Sequence, residues 1–122
     1  MTCARPLVVI VLATALFAAA DPVRADDVDL DLKQLAKCID DSGAVLYAAH
    51  WCPYCKKQLK VFGKYAKYLP YVECYDGPKK EGMNRTCKRA EVTSFPTWHY
   101  PDGRVVTGVQ DPEEIAQASG CL

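Results

Sequence analysis

The sequence predicts an α/β domain whose mixed central sheet of about four strands is flanked by helices on both faces. Three observations support this prediction: helical and strand-length apolar patterns alternate along the chain, a Pro-Asp-Gly turn follows them, and a capped helix comes after the turn. Strands that alternate with helices are typical of a sheet covered on both sides, and a hairpin adds antiparallel strands. The predicted order is therefore helix, strand, helix, strand, helix, hairpin, helix.

The first two elements lead to a cysteine motif. Apolar residues from Val28 to Ile39 follow helical spacing, and Ser42-Gly43 ends the pattern. Ala44 to Ala49 is a short uncharged run of strand length, as expected for a strand covered on both faces. The strand runs directly into His50-Trp51-Cys52-Pro53-Tyr54-Cys55.

The remaining elements follow from apolar spacing and from turn residues. Proline is favoured at the first helical position, so a second helix is predicted from Pro53 until Pro70 stops it. The later predictions are a strand at Tyr71–Tyr75, a loop at Asp76–Gly82, a helix at Met83–Ala90 and hairpin strands at Thr97–Tyr100 and Arg104–Thr107. A last helix is predicted to begin at Asp111, which caps it and forms a capping box with Glu114, and to end at Gly120.

Composition and the first residues limit the possible functions. The chain has 122 residues, 50% of them hydrophobic, and its 15 basic residues balance 15 acidic ones, which argues against a disordered chain and against a nucleic-acid partner. Arg5 precedes an uncharged run, Leu7–Ala20, that is shorter than the roughly 20 residues of a membrane span. We therefore expect residues 1–25 to be a signal peptide, cleaved after Ala20 or Ala25, and residues 26–122 to form one exported domain, periplasmic or secreted. Retention as an uncleaved anchor is the alternative.

Cys52 and Cys55 are the candidate catalytic residues. They lie where the predicted strand meets the predicted helix, with Pro53 beginning the helix. Unpaired backbone N–H groups and the positive end of the helix dipole favour a thiolate at this position. One thiol of such a pair attacks a substrate disulfide and the other resolves the mixed disulfide. An inert bridge, or a zinc site made with Cys74 and Cys87, is the alternative interpretation.

These residues resemble the thioredoxin superfamily. The segment Ala44–Lys56, with Trp51 before the first cysteine, and the later Phe95-Pro96-Thr97 appear in the family's order, and the match covers about Leu30 to Leu122. The resemblance implies a thioredoxin fold and a protein thiol–disulfide oxidoreductase without cofactor or metal, with Cys52 as nucleophile and Cys55 as resolver. It also implies that the Phe95–Pro96 bond is cis, beside the cysteine pair. The implied substrate-contacting residues are Trp51, Pro53, Tyr54, Phe95, Pro96 and Thr97.

A narrower match is to the thioredoxin-like domain associated with vitamin K epoxide reductase homologues. It rests on Tyr71–Cys74, Cys87, Phe95–Trp98 and Ala116–Cys121. By analogy, this resemblance implies disulfide exchange with a membrane quinone-linked redox partner. We also expect a monomer that acts on protein thiol or disulfide substrates.

One position departs from the superfamily pattern. Leu46 stands six residues before Cys52, where cytoplasmic thioredoxins carry a buried acid that accepts the proton of the second cysteine. His50, Glu73 or water could replace that acid. His50 is the preferred candidate because it lies two residues from Cys52, and a protonated His50 would also favour the Cys52 thiolate.

The other cysteines are predicted to form structural disulfides. Six of the seven cysteines lie after residue 25, and six cysteines allow 15 pairings. Cys74 and Cys87 flank a Gly/Pro loop, which suits a bridge, and the narrower resemblance supports that pair. Cys38 and Cys121 are then expected to pair with each other, and the alternative is a Cys121 that is free or bonds another chain.

Two other functions and one surface feature stay open. Pro53-Tyr54 matches the dipeptide of glutaredoxins, although Gly108–Asp111 lacks the paired glycines of their glutathione site. A non-catalytic, disulfide-stapled binding module of the same fold is the alternative of a different class. A helical row of lysines follows the motif and would either steer acidic partners or form a solvated face; it consists of Lys56, Lys57, Lys60, Lys64 and Lys67.

Overall fold

A computed structural model describes residue 15, residues 17–20, residue 22 and residues 25–122. The described part is a mixed α/β fold. Its helices are α1 (Ala25–Asp41), α2 (Pro53–Phe62), α3 (Arg85–Arg89) and α4 (Pro112–Ser119), and its strands are β1 (Val45–Ala48), β2 (Tyr71–Glu73), β3 (Thr97–His99) and β4 (Val105–Thr107). Most of the predicted signal peptide, residues 1–25, lies outside the described residues. No helix within the described ranges is long and apolar enough to cross a bilayer.

The four strands form one sheet in the order β2-β1-β3-β4. β1 and β2 are parallel, with Tyr47 opposite Val72, and α2 lies in the connection between them. β1 pairs antiparallel with β3, where Leu46 lies opposite Trp98, and β3 pairs antiparallel with β4 as the predicted hairpin. This mixed sheet with its helices is consistent with a thioredoxin-like fold, and the predicted fold class is confirmed.

The side chains of β1 alternate between two buried clusters, one on each face of the sheet. Leu46 and Ala48 are fully buried in the larger cluster, which also contains residues of α1, α2 and α4. Tyr47 points to the opposite face and packs against the smaller cluster, which is formed by Cys74, Cys87 and Val92. Because successive residues of a strand face opposite sides, this alternation places helices on both faces of the sheet.

The helix after the motif is shorter than its apolar spacing predicts. α2 ends at Phe62, and Gly63 has a φ of 53° while its N–H bonds the carbonyl of Lys60. A 3₁₀ helix then covers Gly63–Tyr68. The prediction of one helix up to Leu69 was wrong because residues three apart also share a face in a 3₁₀ helix, so Leu59, Phe62, Ala66 and Leu69 keep an apolar row across the break.

Two disulfides connect the helices to the rest of the domain. Cys38 of α1 bonds Cys121, just after α4, with a separation of 83 in sequence. Cys74, at the end of β2, bonds Cys87 of α3 with a separation of 13. These are the two pairs that the sequence favoured. In the chain-entropy model a loop of the first size contributes about 4.5 kcal/mol and one of the second size about 3 kcal/mol.

The last helix has the ends that its sequence predicts. Glu114 accepts the backbone N–H of Asp111 at 3.0 Å, which completes a capping box, and Pro112 takes the first turn. Gly120 ends the helix in the left-handed conformation with a φ of 76°. α4 thereby holds Cys121 within bonding distance of α1.

Candidate active site

Cys52 is the residue that begins α2. Its backbone is extended, with φ −82° and ψ 118°, and its sulfur accepts the N–H of Cys55 at 3.2 Å. Pro53, which has no N–H to leave unpaired, occupies the first turn. The sulfur of Cys52 thus serves as the helix cap, and this N–H and the helix dipole stabilise negative charge on it.

Cys55 lies deeper in the same turn. Only 2% of its surface is exposed, against 4% for Cys52, and neither residue is in a disulfide. Burial raises the pKa of the Cys55 thiol to about 12, and its interaction with Cys52 adds to the shift. Cys55 therefore keeps its proton at neutral pH. The sulfur of Cys52, by contrast, accepts the backbone N–H of Cys55, a donor of the kind that stabilises a thiolate.

The loop before β3 approaches Cys52 from the other side of the site. The Phe95–Pro96 peptide bond is cis, as the resemblance implies. The carbonyl oxygen of Phe95 lies 3.7 Å from the Cys52 sulfur, within range of the S–H as donor. Residues far apart in sequence are thereby brought together at one pair of thiols.

Four of the six predicted substrate-contacting residues present side chains at the surface of the site. Pro53 and Tyr54 are exposed, Tyr54 to 59%, and Trp51 and Phe95 are half-buried. The Pro96 ring is fully buried, and Thr97 is 2% exposed with its hydroxyl donating to the carbonyl of Ser94. The predicted contact of Pro96 and Thr97 with substrate stays a prediction, and because both side chains are buried it would involve their backbone atoms.

An aromatic cluster lies beside the cysteine pair. The Trp51 ring meets Tyr75 edge-on at 5.1 Å and Phe95 at 6.0 Å, and Tyr75 and Phe95 are 5.8 Å apart. The ammonium of Lys79 lies 4.2 Å from the centre of the Trp51 ring. The Trp51 indole N–H is buried and has no acceptor in the described part of the chain. Tyr75 and Lys79 were not expected here because their positions depend on the loop after β2.

His50 and Glu73 form the polar side of the site. The Glu73 carboxylate accepts the N–H of His50 and of Tyr75, each at 3.1 Å, and the hydroxyl of Tyr71 at 2.6 Å. The His50 ring donates through Nε2 to the carbonyl of Gly77 at 2.9 Å, so it is turned toward the loop after β2. Its predicted role beside Cys52 stays a prediction.

Charge also connects Glu73 with the buried thiol. The negative charge of Glu73 contributes to the raised pKa of Cys55. Burial raises the pKa of Tyr71 first of all, and its hydrogen bond to Glu73 and the charges of both cysteines raise it further. Glu73, Tyr71 and the two cysteines therefore influence one another electrostatically. Leu46, which stands at the position of the buried acid in cytoplasmic thioredoxins, is a fully buried core residue.

Gln58 is a buried polar residue on α2 that the sequence did not single out. It is fully buried, and its amide oxygen accepts the indole N–H of Trp98 at 3.2 Å and the N–H of Gln110 at 2.7 Å. Its amide nitrogen donates to the carbonyl of Gln110 at 3.0 Å. Gln58 thus fixes the helix that carries Cys55 to β3 and to the loop after β4.

The zinc interpretation does not fit the observed pairing. Cys74 and Cys87, two of the four required thiolates, are bonded to each other. Among the described residues, no group of three or more His, Cys, Asp or Glu side chains is arranged to hold a metal ion. Cys52 and Cys55 are therefore the only free thiols within the described ranges.

The chain is similar in sequence to a curated redox protein. No family model matches it. It is 31% identical over 132 aligned positions to thiol-disulfide oxidoreductase LTO1 of Arabidopsis thaliana, and the match covers 93% of this chain. The chain spans 35% of the length of that relative. This similarity, with the fold and the free cysteine pair, supports a redox function and a place in the thioredoxin-like superfamily.

Proposed function

We propose that this protein is an exported thiol–disulfide oxidoreductase that exchanges disulfides with protein substrates through its Cys-Pro-Tyr-Cys motif. The observation that carries the proposal is the position of Cys52, whose sulfur caps α2 and accepts the N–H of Cys55 at 3.2 Å. The four other described cysteines are already paired with each other. Among the described cysteines, only Cys52 and Cys55 are thus free to exchange disulfides.

The proposed reaction is two successive exchanges. The Cys52 thiolate attacks a substrate disulfide, forming a Cys52–substrate bond and releasing one substrate thiolate. Cys55 then loses its proton and attacks the Cys52 sulfur, which releases the second substrate thiolate and leaves the Cys52–Cys55 disulfide. Two electrons pass from the protein to the substrate, and the reverse sequence oxidises a substrate dithiol.

In this scheme Glu73 is the acceptor for the proton of Cys55. A thiol with a pKa of about 12 requires a base when it attacks at neutral pH. Glu73 supplies a carboxylate in the same electrostatic neighbourhood, held by three donors. His50 is less suited because its ring already bonds Gly77.

The cellular setting forms part of the proposal. Disulfides persist in oxidising compartments, so the bridges Cys38–Cys121 and Cys74–Cys87 agree with an exported protein. The resemblance to domains associated with vitamin K epoxide reductase homologues supports a membrane quinone-linked redox partner. We propose that the domain acts as a monomer and is periplasmic or secreted.

Two cysteine variants test the proposal. Cys55→Ser is expected to accumulate mixed disulfides with a substrate protein, because the resolving thiol is gone, while Cys52→Ser is expected to lose exchange entirely. Gel shifts under non-reducing conditions and insulin reduction measure the two effects. Insulin-reductase activity that persists in Cys52→Ser would refute the assigned roles.

The reduction potential of the pair then decides the direction of electron flow. A potential near −120 mV is typical of a disulfide donor, and one near −270 mV of a reductase. Equilibration of the Cys52–Cys55 pair with a glutathione buffer gives this value. A pair that fails to equilibrate at all would indicate the non-catalytic binding module instead.

A further inference from the structure

Two lysines lie over aromatic side chains of the segment that contains Cys52. The ammonium of Lys57 lies 5.4 Å from the ring of Tyr54, and that of Lys79 lies 4.2 Å from the ring of Trp51. Both aromatic residues belong to the segment that contains Cys52. We call Lys57 and Lys79 the basic rim. Lys56 and Lys80, which adjoin it in sequence, are exposed as well.

Several contacts fix the loop that carries Lys79. The carbonyl of Gly77 accepts the His50 ring N–H at 2.9 Å. The amide of Asn84 donates to the carbonyl of Glu73 at 2.8 Å and to the carboxylate of Asp76 at 3.0 Å. The Cys74–Cys87 disulfide closes the same segment. The approach of Lys79 to Trp51 is therefore a feature of the fold.

Within the described ranges, neither Lys57 nor Lys79 forms a salt bridge with a carboxylate, whereas Arg104 pairs with Asp102. The nearby carboxylates have other contacts. Glu73 accepts three hydrogen bonds, Asp76 accepts one from Asn84, and Glu81 lies against Gly77. A cation above an aromatic face keeps most of its hydrogen-bond donors free for an anion.

We propose that Lys57 and Lys79 bind the carboxylates of acidic residues that flank the reactive cysteine of a substrate polypeptide. This inference rests on the proposed function, since it assigns the substrate class of the same site. Exposed lysine–carboxylate contacts are individually weak, so each lysine is expected to change kcat/KM by roughly two- to fivefold. The attraction also decreases as salt is added, because the charges are exposed.

Paired peptides test the basic rim. Two disulfide-containing peptides share one core and carry either glutamates or lysines at the flanking positions, and bis(2-hydroxyethyl) disulfide serves as an uncharged reference substrate. The wild-type protein is expected to favour the acidic peptide by several-fold in kcat/KM at 20 mM salt and to lose much of this preference at 300 mM. For each peptide, kcat/KM is divided by kcat/KM for the uncharged reference substrate. In the Lys57→Gln/Lys79→Gln double variant, this ratio for the acidic peptide is expected to fall toward the ratio for the basic peptide.

Lys37→Gln is the matched control. Lys37 is also exposed and lies 5.1 Å from a tyrosine ring, that of Tyr68, but it belongs to α1. Its removal is expected to leave the peptide preference unchanged. Equal rates for the two peptides with the wild-type protein, or a preference that survives the double variant, would overturn the proposed basic rim.

A failure of the proposed function gives a different result. A protein that does not exchange with the uncharged disulfide contradicts the redox assignment, whatever the peptides do. Fluorescence anisotropy with labelled, cysteine-free versions of the peptides then tests the basic rim alone. Tighter binding of the acidic peptide that depends on Lys57 and Lys79 supports the basic rim, and equal binding of both peptides refutes it.

Discussion

The indole N–H of Trp98 donates to the amide oxygen of Gln58 at 3.2 Å, and both side chains are fully buried. Gln58 lies one helical turn after Cys55, whereas Trp98 is the central residue of β3. The helix that carries the cysteine pair is thus joined to the strand that follows the cis proline. The position of Cys55 depends on this hydrogen bond and on the two bonds between Gln58 and Gln110.

Replacement of Gln58 by leucine is expected to destabilise the protein by about 2–4 kcal/mol. The variant leaves the buried Trp98 N–H and the partly buried backbone of Gln110 without these partners, and an unsatisfied buried group costs roughly 1–3 kcal/mol. Urea unfolding measures the loss. Gln110→Ala is the control, because only the backbone of Gln110 bonds Gln58. A Gln58→Leu protein as stable as wild type would contradict this role.

The reduced protein is expected to lose stability between about pH 9 and pH 12. Burial raises the pKa of Cys55 from 9.0 to about 12 in the folded state. Over that interval the folded state keeps the proton and the unfolded chain has lost it, so stability is complete below the unfolded value and falls as pH rises. The oxidised protein lacks this titration. Parallel urea titrations of both forms should therefore diverge at alkaline pH, and identical pH profiles would contradict the assignment.

Glu73→Gln is expected to slow the resolving step about a hundredfold near neutral pH, which is the lower end of the usual contribution of general base catalysis. The rate of the variant should then rise with pH, because hydroxide replaces the carboxylate as base. Rapid-quench measurement of the decay of a mixed disulfide, taken as a function of pH, separates this role from a structural one. Asp76→Asn is the matched control, since Asp76 accepts a hydrogen bond from Asn84 in the same region. A Glu73→Gln profile parallel to that of wild type would argue against proton transfer.

Removal of the two structural disulfides is expected to have different consequences. Cys38→Ser/Cys121→Ser should lose roughly 3–4.5 kcal/mol of stability in the chain-entropy model yet keep its rate of exchange at 25 °C. Cys74→Ser/Cys87→Ser should lose roughly 2–3 kcal/mol and also exchange more slowly, because this bridge closes the loop that contacts His50 and Trp51. Thermal unfolding and insulin reduction distinguish the two. Equal exchange rates in both variants would show that the loop does not influence the site.

The order of elements and the caps of α4 could be predicted because the signals are local. The ends of α4 depend on nearby residues only: Asp111 and Glu114 form the capping box, Pro112 occupies the first turn, and Gly120 adopts the left-handed conformation that ends the helix. The break at Gly63 could not be predicted, because a glycine is tolerated within a helix and the apolar row continues beyond it.

The cysteine pair could be identified from the sequence, whereas its surroundings could not. The motif at Cys52 and Cys55 is contiguous, and its chemistry follows from its position at the start of a helix. Gln58 resembles any polar residue of a helix that has a solvent-facing side, and only the distant Trp98 and Gln110 give it a buried role. Proximity in sequence to Cys52 favours His50 over Glu73 as the proton acceptor, whereas the hydrogen bond of His50 to Gly77 depends on a loop whose path is set by long-range contacts.

The protein carries bonds of the same kind as those it is proposed to exchange, so its own bridges are potential targets. Cys74 and Cys87 are fully buried, and an incoming thiolate cannot approach their sulfur–sulfur axis without local opening of the fold. Cys38 and Cys121 are only half-buried. A reductant should thus reduce the Cys38–Cys121 disulfide first. The Cys74–Cys87 disulfide, which closes the loop beside the catalytic pair, should not exchange with Cys52 during turnover.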